Sequence, residues 1–250
     1  AQQDPILELR NLSRRGLFQD ISFSLRPGEI LAITGLLGSG RTELALALFG
    51  VNKPDSGQIL FAANGAGLQP VQINSIQDAV RLGIAYVPED RLVQGLVMNQ
   101  SVGKNLIITT LENLLNRFKL LDNRLIRSDI QRWVKELSIK IPSVDSPVQT
   151  LSGGNQQRVV LAKWIAVNPK VLVLDGPTIG IDVAAKFAIH EIIRGLAEKG
   201  LAILLISDEV PEVYNNANRV LIMRKGRIVQ EFDTAKTTPD EIQETVNLTA

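Results

Sequence analysis

The sequence predicts an α/β protein built on one principal domain. Two apolar runs typical of buried strands, residues 170–175 (KVLVLD) and 201–207 (LAILLIS), flank a helical stretch from about Val183 to Lys199. This strand–helix–strand order is typical of a mainly parallel sheet. The first 35 residues are strand-rich, whereas residues 100–168 have a helical character. The simplest interpretation is one α/β domain that carries a helical insert.

The N-terminal part alternates apolar and polar residues in two stretches, residues 6–13 (ILELRNLS) and 17–35 (LFQDISFSLRPGEILAITG). Alternation of this kind predicts half-buried strands, and the Arg-Pro-Gly-Glu segment at residues 26–29 predicts a turn between them. A glycine-rich loop follows, and the leucines and alanines from Thr42 to Phe49 then predict a well-buried helix.

The helical insert contains one clear amphipathic pattern, in residues 127–141 (RSDIQRWVKELSIKI) and the isoleucine just before them. Its apolar side chains recur every three or four residues, which predicts a helix with one buried face. They are Ile126, Ile130, Trp133, Val134 and Leu137. Near the C-terminus, residues 219–232 (RVLIMRKGRIVQEF) predict a hairpin that turns at Lys225–Gly226.

Composition excludes several classes of function. The 250 residues carry a net charge of +1, so we expect no basic surface for nucleic acid. There is no cysteine and the only histidine is His190, which argues against thiolate or histidine-built metal sites. No apolar run approaches the roughly 18 residues that a membrane span requires. We therefore expect the chain itself not to span a membrane.

The loop GLLGSGRT, Gly35–Thr42, follows a strand pattern and precedes a helix. Glycines allow successive backbone N–H groups to converge on a phosphate, and the helix N-terminus adds its dipole. In the usual phosphate loop a lysine contacts the phosphates and a hydroxyl binds Mg²⁺, but here Arg41 replaces the lysine. Taken alone, such a loop is equally consistent with a tight strand-to-helix connection.

A second motif, LSGGNQQR, spans Leu151–Arg158 and leads into an apolar helix. A serine and two glycines at a helix start can present a hydroxyl and backbone N–H groups to a phosphate. The alternative is an ordinary N-capped helix. The order of the motifs favours the phosphate site, because the two glycine motifs precede the strand that ends at Asp175 and the IGID segment at residues 179–182.

Together the segments GLLGSGRTE, YVPEDRLVQGLV, LSGGNQQR, VLVLDGPT and IGIDVAAK resemble the nucleotide-binding domains of ABC transporters over essentially the whole chain. The resemblance is to the second, degenerate ATPase domain of bacterial importers of simple sugars such as ribose, galactose and xylose. It implies a P-loop NTPase fold with an N-terminal antiparallel β subdomain. It further implies an ATPase core formed by residues 1–90 and 169–250, and a helical subdomain, residues 91–168, that contains the signature.

The resemblance implies that ATP and Mg²⁺ are the cofactors. It assigns phosphate binding to Gly35, Leu36, Leu37, Gly38, Ser39, Gly40, Arg41 and Thr42, and the signature to Ser152, Gly153, Gly154, Asn155 and Gln156. Metal binding falls to Thr42 and Asp175. Glu89 occupies the Q-loop position, and Asp182 belongs to the D-loop.

Four residues depart from the family pattern. Arg41 replaces lysine, Glu89 replaces glutamine, Gly176 replaces the glutamate that orients water, and Asp208 replaces the switch histidine. Glycine cannot orient water, and losing one positioned group costs orders of magnitude in rate. We therefore expect a poor catalytic site beside an intact signature, with slow or absent ATP hydrolysis by the isolated chain. For Glu89 and Asp208, solvated loop acids are an equally good interpretation.

Early aromatic residues that could stack on adenine are limited to Phe18 and Phe23. For docking of a permease helix beside the Glu89 loop, the candidate contacts are Leu92, Val93, Leu96, Val97 and Met98. For each of them, filling the local core is an equally good interpretation.

The implied partners are a second ABC ATPase domain fused upstream, a membrane permease and, indirectly, a substrate-binding protein. The implied location is peripheral, on the cytoplasmic face of the cell membrane. A nucleoside or autoinducer importer is the alternative, because ATPase residues do not contact the cargo. A soluble non-transport ABC protein and a regulatory nucleotide-binding module are further alternatives.

Overall fold

The computed structural model describes residues 3–62 and 67–248. Its strands are short and lie mainly in the two terminal thirds of the chain. They are β1 (Leu7–Arg14), β2 (Phe18–Leu25), β3 (Ile30–Thr34), β4 (Ser56–Phe61), β5 (Gln69–Val71), β6 (Ile84–Val87), β7 (Val171–Asp175), β8 (Ala202–Ile206), β9 (Arg219–Arg224) and β10 (Arg227–Asp233).

Between β6 and β7 the structure has helices and loops. The α-helices of the described residues are α1 (Arg41–Leu48), α2 (Ile76–Leu82), α3 (Val102–Ile107), α4 (Asn123–Glu136), α5 (Gly153–Ile165), α6 (Val183–Glu198), α7 (Val210–Asn216) and α8 (Pro239–Leu248). A single π-helical turn spans Arg91–Gly95, and short 3-10 turns lie at Leu111–Leu114 and Val148–Thr150.

The larger sheet has the strand order β10-β9-β3-β8-β7-β6. β3 runs parallel to both β8 and β9, and β7 runs parallel to β8. Every residue of β3, β7 and β8 is buried, and these central strands are apolar except for Thr34 and Asp175 at the ends of β3 and β7. The smaller sheet, ordered β2-β1-β4-β5, is antiparallel. This arrangement confirms the predicted α/β class with a parallel core and an antiparallel N-terminal sheet.

The local predictions are largely confirmed, with small shifts at the ends. The predicted hairpin is β9–β10, and its turn residues Lys225 and Gly226 have φ of +45° and +78°. The amphipathic helix is α4, which begins four residues before residue 127 because Asp122 caps it by accepting from two backbone N–H groups. It ends near Ser138, whose φ of +49° is incompatible with helix. Of its predicted face, Ile130, Trp133 and Leu137 are buried.

The predicted turn at residues 26–29 joins strands of different sheets, since β2 lies in the smaller sheet and β3 in the larger one. A sequence pattern that predicts two consecutive strands does not specify whether they pair. The side chain of Arg219 supports this corner by donating to Glu29 Oε1 at 2.6 Å and to the Ser24 carbonyl at 2.6 Å.

The chain divides into two compact units. The first contains the described residues of 1–86, 170–176 and 193–250, and therefore both sheets apart from the last residue of β6. The second contains residues 87–169 and 177–192, so the predicted helical segment 91–168 lies within it. Across the described ranges 3–62 and 67–248, no helix is long and apolar enough to cross a membrane.

Candidate functional site

Three parallel strands of the first unit end at one level. Ile206, the last residue of β8, is paired with Ile33 of β3 on one side and with Asp175 of β7 on the other. The loops that begin at Gly35, Gly176 and Ser207 therefore leave the same edge of the sheet. The carboxyl edge of a parallel sheet is where open α/β folds bind their ligands.

The phosphate loop, Gly35–Thr42, needs glycine at two of its positions for steric reasons. A Cβ atom on Gly35 would lie 2.1 Å from the Met223 carbonyl oxygen, and one on Gly40 would lie 2.6 Å from the Leu17 carbonyl oxygen. Gly40 also has a φ of +97° and directly precedes α1. At Gly38, in contrast, a Cβ would meet nothing within 4 Å. The middle of the loop is therefore open to a ligand.

Arg41, the first residue of α1, is only 9% exposed. Its Nη1 donates to the Ser207 carbonyl at 2.9 Å, and Nη2 lies 3.5 Å from the Leu36 carbonyl oxygen. The guanidinium thus connects the phosphate loop to the loop that follows β8. Its positive charge is retained next to the loop, and two of its nitrogens donate to backbone carbonyl oxygens.

Two buried hydroxyl groups belong to this region, one directly before the loop and one within it. Thr34 Oγ1 and Ser39 Oγ find no hydrogen-bond partner among the described protein atoms, although these residues are 0% and 4% exposed. Buried hydroxyls normally have a partner, so this pair fits a site that receives a polar ligand. A phosphate fits the loop, because the start of a helix offers backbone N–H groups and a favourable dipole.

Asp175 lies at the end of β7 with 2% of its surface exposed. The Tyr86 hydroxyl donates to its Oδ2 at 3.1 Å. Thr42 lies in α1, which packs against β7. A hydroxyl and a carboxylate suit Mg²⁺, which binds phosphates and only one or two protein ligands. These two residues therefore fit the predicted metal role, in which Mg²⁺ would neutralise charge on phosphate oxygens.

The positions that depart from the family pattern have distinct surroundings. Gly176 has a φ of +53°, a left-handed conformation that costs a non-glycine residue about 1–2 kcal/mol. Its N–H donates to the Ile206 carbonyl at 2.9 Å. Asp208 in the first unit and Glu89 in the second are both exposed to solvent. Their exposure agrees with the interpretation as solvated acids.

The two candidate rings for adenine stacking are largely buried in the structure. Phe18 is 3% exposed and Phe23 is 8% exposed, because both rings point from β2 into the core. An open cavity of about 780 Å³ adjoins Gly38, and its wall contains cationic side chains and includes Phe18. It is lined by residues 13–20, Gly38, Asp55, Ser56, Lys225 and Gly226.

The signature, Ser152–Gln156, forms the start of α5 in the second unit. Ser152 is exposed at the N-cap position, and its side chain makes no capping bond to the backbone of the helix. Instead, Asn155 Nδ2 donates to Ser152 Oγ at 3.0 Å, while Asn155 Oδ1 accepts from the Lys140 N–H at 2.8 Å. The serine oxygen is thereby oriented as an acceptor, and its proton remains available for an anion at the helix N-terminus.

Both signature glycines lie in close packing, which is tightest at Gly154. A Cβ on Gly153 would lie 2.9 Å from Arg91 Nη2, and a Cβ on Gly154 would lie 2.6 Å from the Cβ of Ala185 in α6. Gln156 is buried, with Nε2 3.4 Å from the Val148 carbonyl oxygen. The N-terminus of α5 is therefore held tightly, with Ser152 on its open side.

The D-loop, residues 179–182, is held at both ends. Asp182 caps α6, because its Oδ1 accepts from the Ala185 N–H at 2.9 Å. Arg91 Nη1 donates to the Ile179 carbonyl at 2.6 Å, and Nη2 donates to the Gly180 carbonyl at 3.0 Å. Burial lowers the pKa of Arg91, and the neighbouring charge of Asp90 opposes this shift.

The predicted docking contacts divide by exposure. Leu92, Val93 and Val97 are 47%, 78% and 47% exposed, and Met98 is partly exposed. Leu96 is 7% exposed and belongs to the core of the second unit, so its prediction as a surface contact is wrong. The π-helical turn explains the difference, because it points Leu92 and Val93 outward before the chain returns at Leu96.

Sequence reasoning did not assign roles to Tyr86, Arg91 and Lys163. Lys163 is 7% exposed, and its Nζ donates to the Gly95 carbonyl; burial lowers its pKa to about 8. The available signals were weak: a tyrosine within an apolar strand, an arginine in the PEDR segment, and a lysine in an otherwise apolar helix. Each role depends on a partner distant in sequence.

Several curated relatives are similar to this chain. It is 45% identical over 239 residues to an Agrobacterium fabrum protein named as a ribose/galactose/methyl galactoside import ATP-binding protein. It is 44% identical, also over 239 residues, to the ribose import ATP-binding protein RbsA of Clostridium perfringens. Each alignment covers 96% of this chain but only 46% or 47% of the relative. The chain therefore spans about half the length of these relatives.

Solved structures are similar over nearly the whole chain. CbiO1 of Clostridium perfringens, described as part of the ABC transporter complex cbiONQ, superposes with a TM-score of 0.77 and 26% identity over 98% of this chain and 96% of the other. A nucleotide-free ATP-binding cassette from an ABC transporter superposes with a TM-score of 0.79 over 97% and 95% of the two chains. The family model described as ABC transporter matches residues 18–179. The chain belongs to the ABC transporter family, as an ATP-binding domain with this family's fold.

Proposed function

We propose that this chain is the ATP-binding domain of an ABC importer for simple sugars, with an intact signature and a degenerate catalytic site. The names of its relatives support sugar import, and the share of their length that it spans supports pairing with a second ATPase domain fused upstream. The further partners are a membrane permease and a substrate-binding protein, and the location is the cytoplasmic face of the membrane. Residues 1–90 and 169–250 form its core and residues 91–168 its helical subdomain.

The observation that carries the proposal is the contrast between two sites on one chain. At the signature, the Ser152 hydroxyl is exposed and oriented by Asn155. At the catalytic positions, Gly176 has no side chain and Arg41 is bonded to the Ser207 carbonyl. The signature keeps its anion-binding groups, whereas the catalytic positions lack a carboxylate that orients water. A chain of this kind is suited to assist hydrolysis at the active site of a partner domain.

In this proposal the signature acts on ATP held by the phosphate loop of the partner domain. The Ser152 proton and the N–H groups at the start of α5 donate to the γ-phosphate, where negative charge must be stabilised. Gly153 and Gly154 carry no side chain, which allows a phosphate to approach the backbone closely. The partner domain supplies the glutamate that this chain lacks at Gly176.

The phosphate loop of this chain serves mainly to bind nucleotide. Its backbone N–H groups and the Ser39 hydroxyl bind phosphate, while Thr42 and Asp175 hold Mg²⁺. Binding at this loop joins the two domains through the bound nucleotide. Hydrolysis here is slow or absent because no group orients an attacking water.

The test is ATP hydrolysis by the full two-domain protein assembled with its permease. Ser152→Ala removes one donor to the γ-phosphate and is expected to lower kcat by about 100-fold or more. Arg41→Ala is expected to lower kcat by less than about 10-fold, since the site that it damages contributes little chemistry. Steady-state phosphate release, measured at equal amounts of folded protein, provides both values.

Ser101→Ala is the matched control. Ser101 also lies at the start of a helix in the second unit, where its Oγ accepts from the Lys104 N–H at 3.2 Å. Its loss is expected to affect stability and to leave kcat within about twofold, as expected for a cap with no role in catalysis. If Arg41→Ala proves as damaging as Ser152→Ala, the asymmetric function is wrong.

A further inference from the structure

Arg91 joins two parts of the site that are far apart in sequence. Its two terminal nitrogens donate to the successive carbonyls of Ile179 and Gly180, at 2.6 and 3.0 Å. The same guanidinium lies beside the first signature glycine, because a Cβ on Gly153 would approach Nη2 to 2.9 Å. We propose that Arg91 is a positioning residue that holds the D-loop against the N-terminus of the signature helix.

The geometry explains why an arginine is needed. The planar fork of the guanidinium carries parallel donors that match two neighbouring carbonyls, whereas a lysine ammonium is a single compact charge. The Ile179 and Gly180 carbonyls can converge on this fork because Gly180 has a φ of +68°. A lysine at position 91 would keep the charge and lose the paired geometry.

Stability alone does not account for this arrangement. Arg91 Nε is buried without a hydrogen-bond partner among the described protein atoms, which is an unfavourable state for a polar group. The guanidinium is also partly removed from water without a carboxylate bonded to it in this region of the structure. Because burying the Arg91 guanidinium in this way is unfavourable, its contact with the D-loop is better explained by the position in which it holds the D-loop.

The backbone that carries Arg91 is itself anchored. Asp90 caps the π-helical turn by accepting from the N–H groups of Leu92 and Val93 at 3.0 and 3.1 Å. At the other end of the turn, Lys163 of α5 donates to the Gly95 carbonyl. The turn is therefore fixed to the signature helix at Gly95 and to the D-loop through Arg91.

This inference rests on the proposed function, because the signature is taken to act on ATP bound by the partner domain. A displaced D-loop removes one wall beside Gly153 and allows the start of α5, with Ser152, to shift. Misplacement by about 1 Å can lower a rate by about 100-fold. Arg91 thus acts through Ser152 and makes no contact of its own with the nucleotide.

The experiment uses the full two-domain protein with its permease, ATP as substrate and phosphate release as the signal. Arg91→Lys is expected to lower kcat by about 10-fold to 100-fold, with a KM for ATP within about threefold of the parent. Arg132→Lys is the control, because Arg132 lies in the same unit outside the signature motif and the D-loop, and its Nε donates to Glu136 Oε1 at 2.8 Å. It is expected to change kcat by less than about threefold, as for other residues outside the reacting groups.

A double-mutant cycle with Ser152→Ala separates positioning from general stability. If Arg91 acts through Ser152, the double variant loses less activity than the product of the two single losses, by about 10-fold. Independent, multiplicative losses would overturn the inference, as would an Arg91→Lys variant with the parental kcat. If Ser152→Ala itself has no effect, the proposed function fails. If Ser152→Ala strongly lowers kcat while Arg91→Lys keeps the parental kcat, only the role of Arg91 is rejected.

Discussion

The guanidinium of Arg41 in the phosphate loop is bonded to the carbonyl oxygen of Ser207 beyond the end of β8, with Nη1 and the oxygen 2.9 Å apart. This contact connects loops that follow neighbouring parallel strands, β3 and β8. The side chain therefore stabilises the edge of the sheet, while its positive charge stays near the phosphate loop. Replacing it should affect the stability of the fold as well as nucleotide binding.

Arg41→Met is expected to lower the free energy of unfolding by about 1–3 kcal/mol, because it leaves a buried carbonyl without its donor. Chemical denaturation of the purified chain measures this change. Arg14→Met is a suitable control, since Arg14 Nη1 donates to the Lys53 carbonyl at 2.9 Å in a more exposed setting. Equal losses for the two variants would contradict a special role for the Arg41 contact.

The purified chain by itself is expected to hydrolyse ATP at less than about 1 per second, below the usual enzyme range. Gly176→Glu is expected not to raise this rate, because the carboxylate would be added at a φ of +53° and Arg41 and Asp208 would remain. Phosphate release measures both rates. If the unmodified chain hydrolysed ATP at about 1 per second or faster, a glutamate at position 176 would not be needed for hydrolysis.

Gly176→Ala separates backbone strain from the added carboxylate. Both Gly176 variants are expected to lose about 1–2 kcal/mol of stability, the cost of left-handed backbone for a residue with a Cβ. The comparison is made by chemical denaturation. A Gly176→Ala variant as stable as the parent would show that this position adapts without strain.

Gly154→Ala is expected to lower stability by about 1–3 kcal/mol, as overpacking does, since its Cβ would lie 2.6 Å from that of Ala185. Adding Ala185→Gly should recover most of the loss. Gly195→Ala in α6 is the control: a Cβ there meets nothing within 4 Å, and stability should rise by about 0.5–1 kcal/mol. Failure of Ala185→Gly to restore stability would mean that the α5–α6 contact is not the cause.

Lys163 should give the protein a stability that rises with pH in the alkaline range. Burial lowers its pKa to about 8 from an ordinary value of 10.5, so the unfolded chain binds more protons than the folded chain between these values. Relative to Lys163→Met, the parent should gain about 2 kcal/mol between pH 7 and pH 9.5. Urea denaturation at both pH values measures the difference, and a pH-independent difference would contradict the prediction.

Cross-linking can test the docking surface on a chain that has no cysteine of its own. Single cysteines at Leu92, Val93 and Val97 are expected to form adducts with the assembled permease, because these side chains are exposed. A cysteine at Leu96 is the control and should react poorly, since Leu96 is 7% exposed. Adducts elsewhere on the chain, with none at the three exposed positions, would reject this surface.

The sequence by itself determined the order of strands and helices, the glycine loop and the residues of the signature. These features depend on local patterns: apolar periodicity, glycine where a side chain would collide, and polar residues at the start of a helix. The departures at Arg41, Gly176 and Asp208 were also visible, because they are differences in residue type.

Tertiary structure decided which residues meet. Nothing local in the PEDR segment predicts that Arg91 reaches Ile179 and Gly180, residues 88 and 89 positions away. The same holds for Arg41 and Ser207, which are 166 positions apart. Tertiary packing also buries Phe18, a candidate for adenine stacking, and Leu96, a candidate for permease docking. Such contacts depend on the pairing of strands and the packing of helices from distant parts of the chain, and periodicity within one segment carries no information about them.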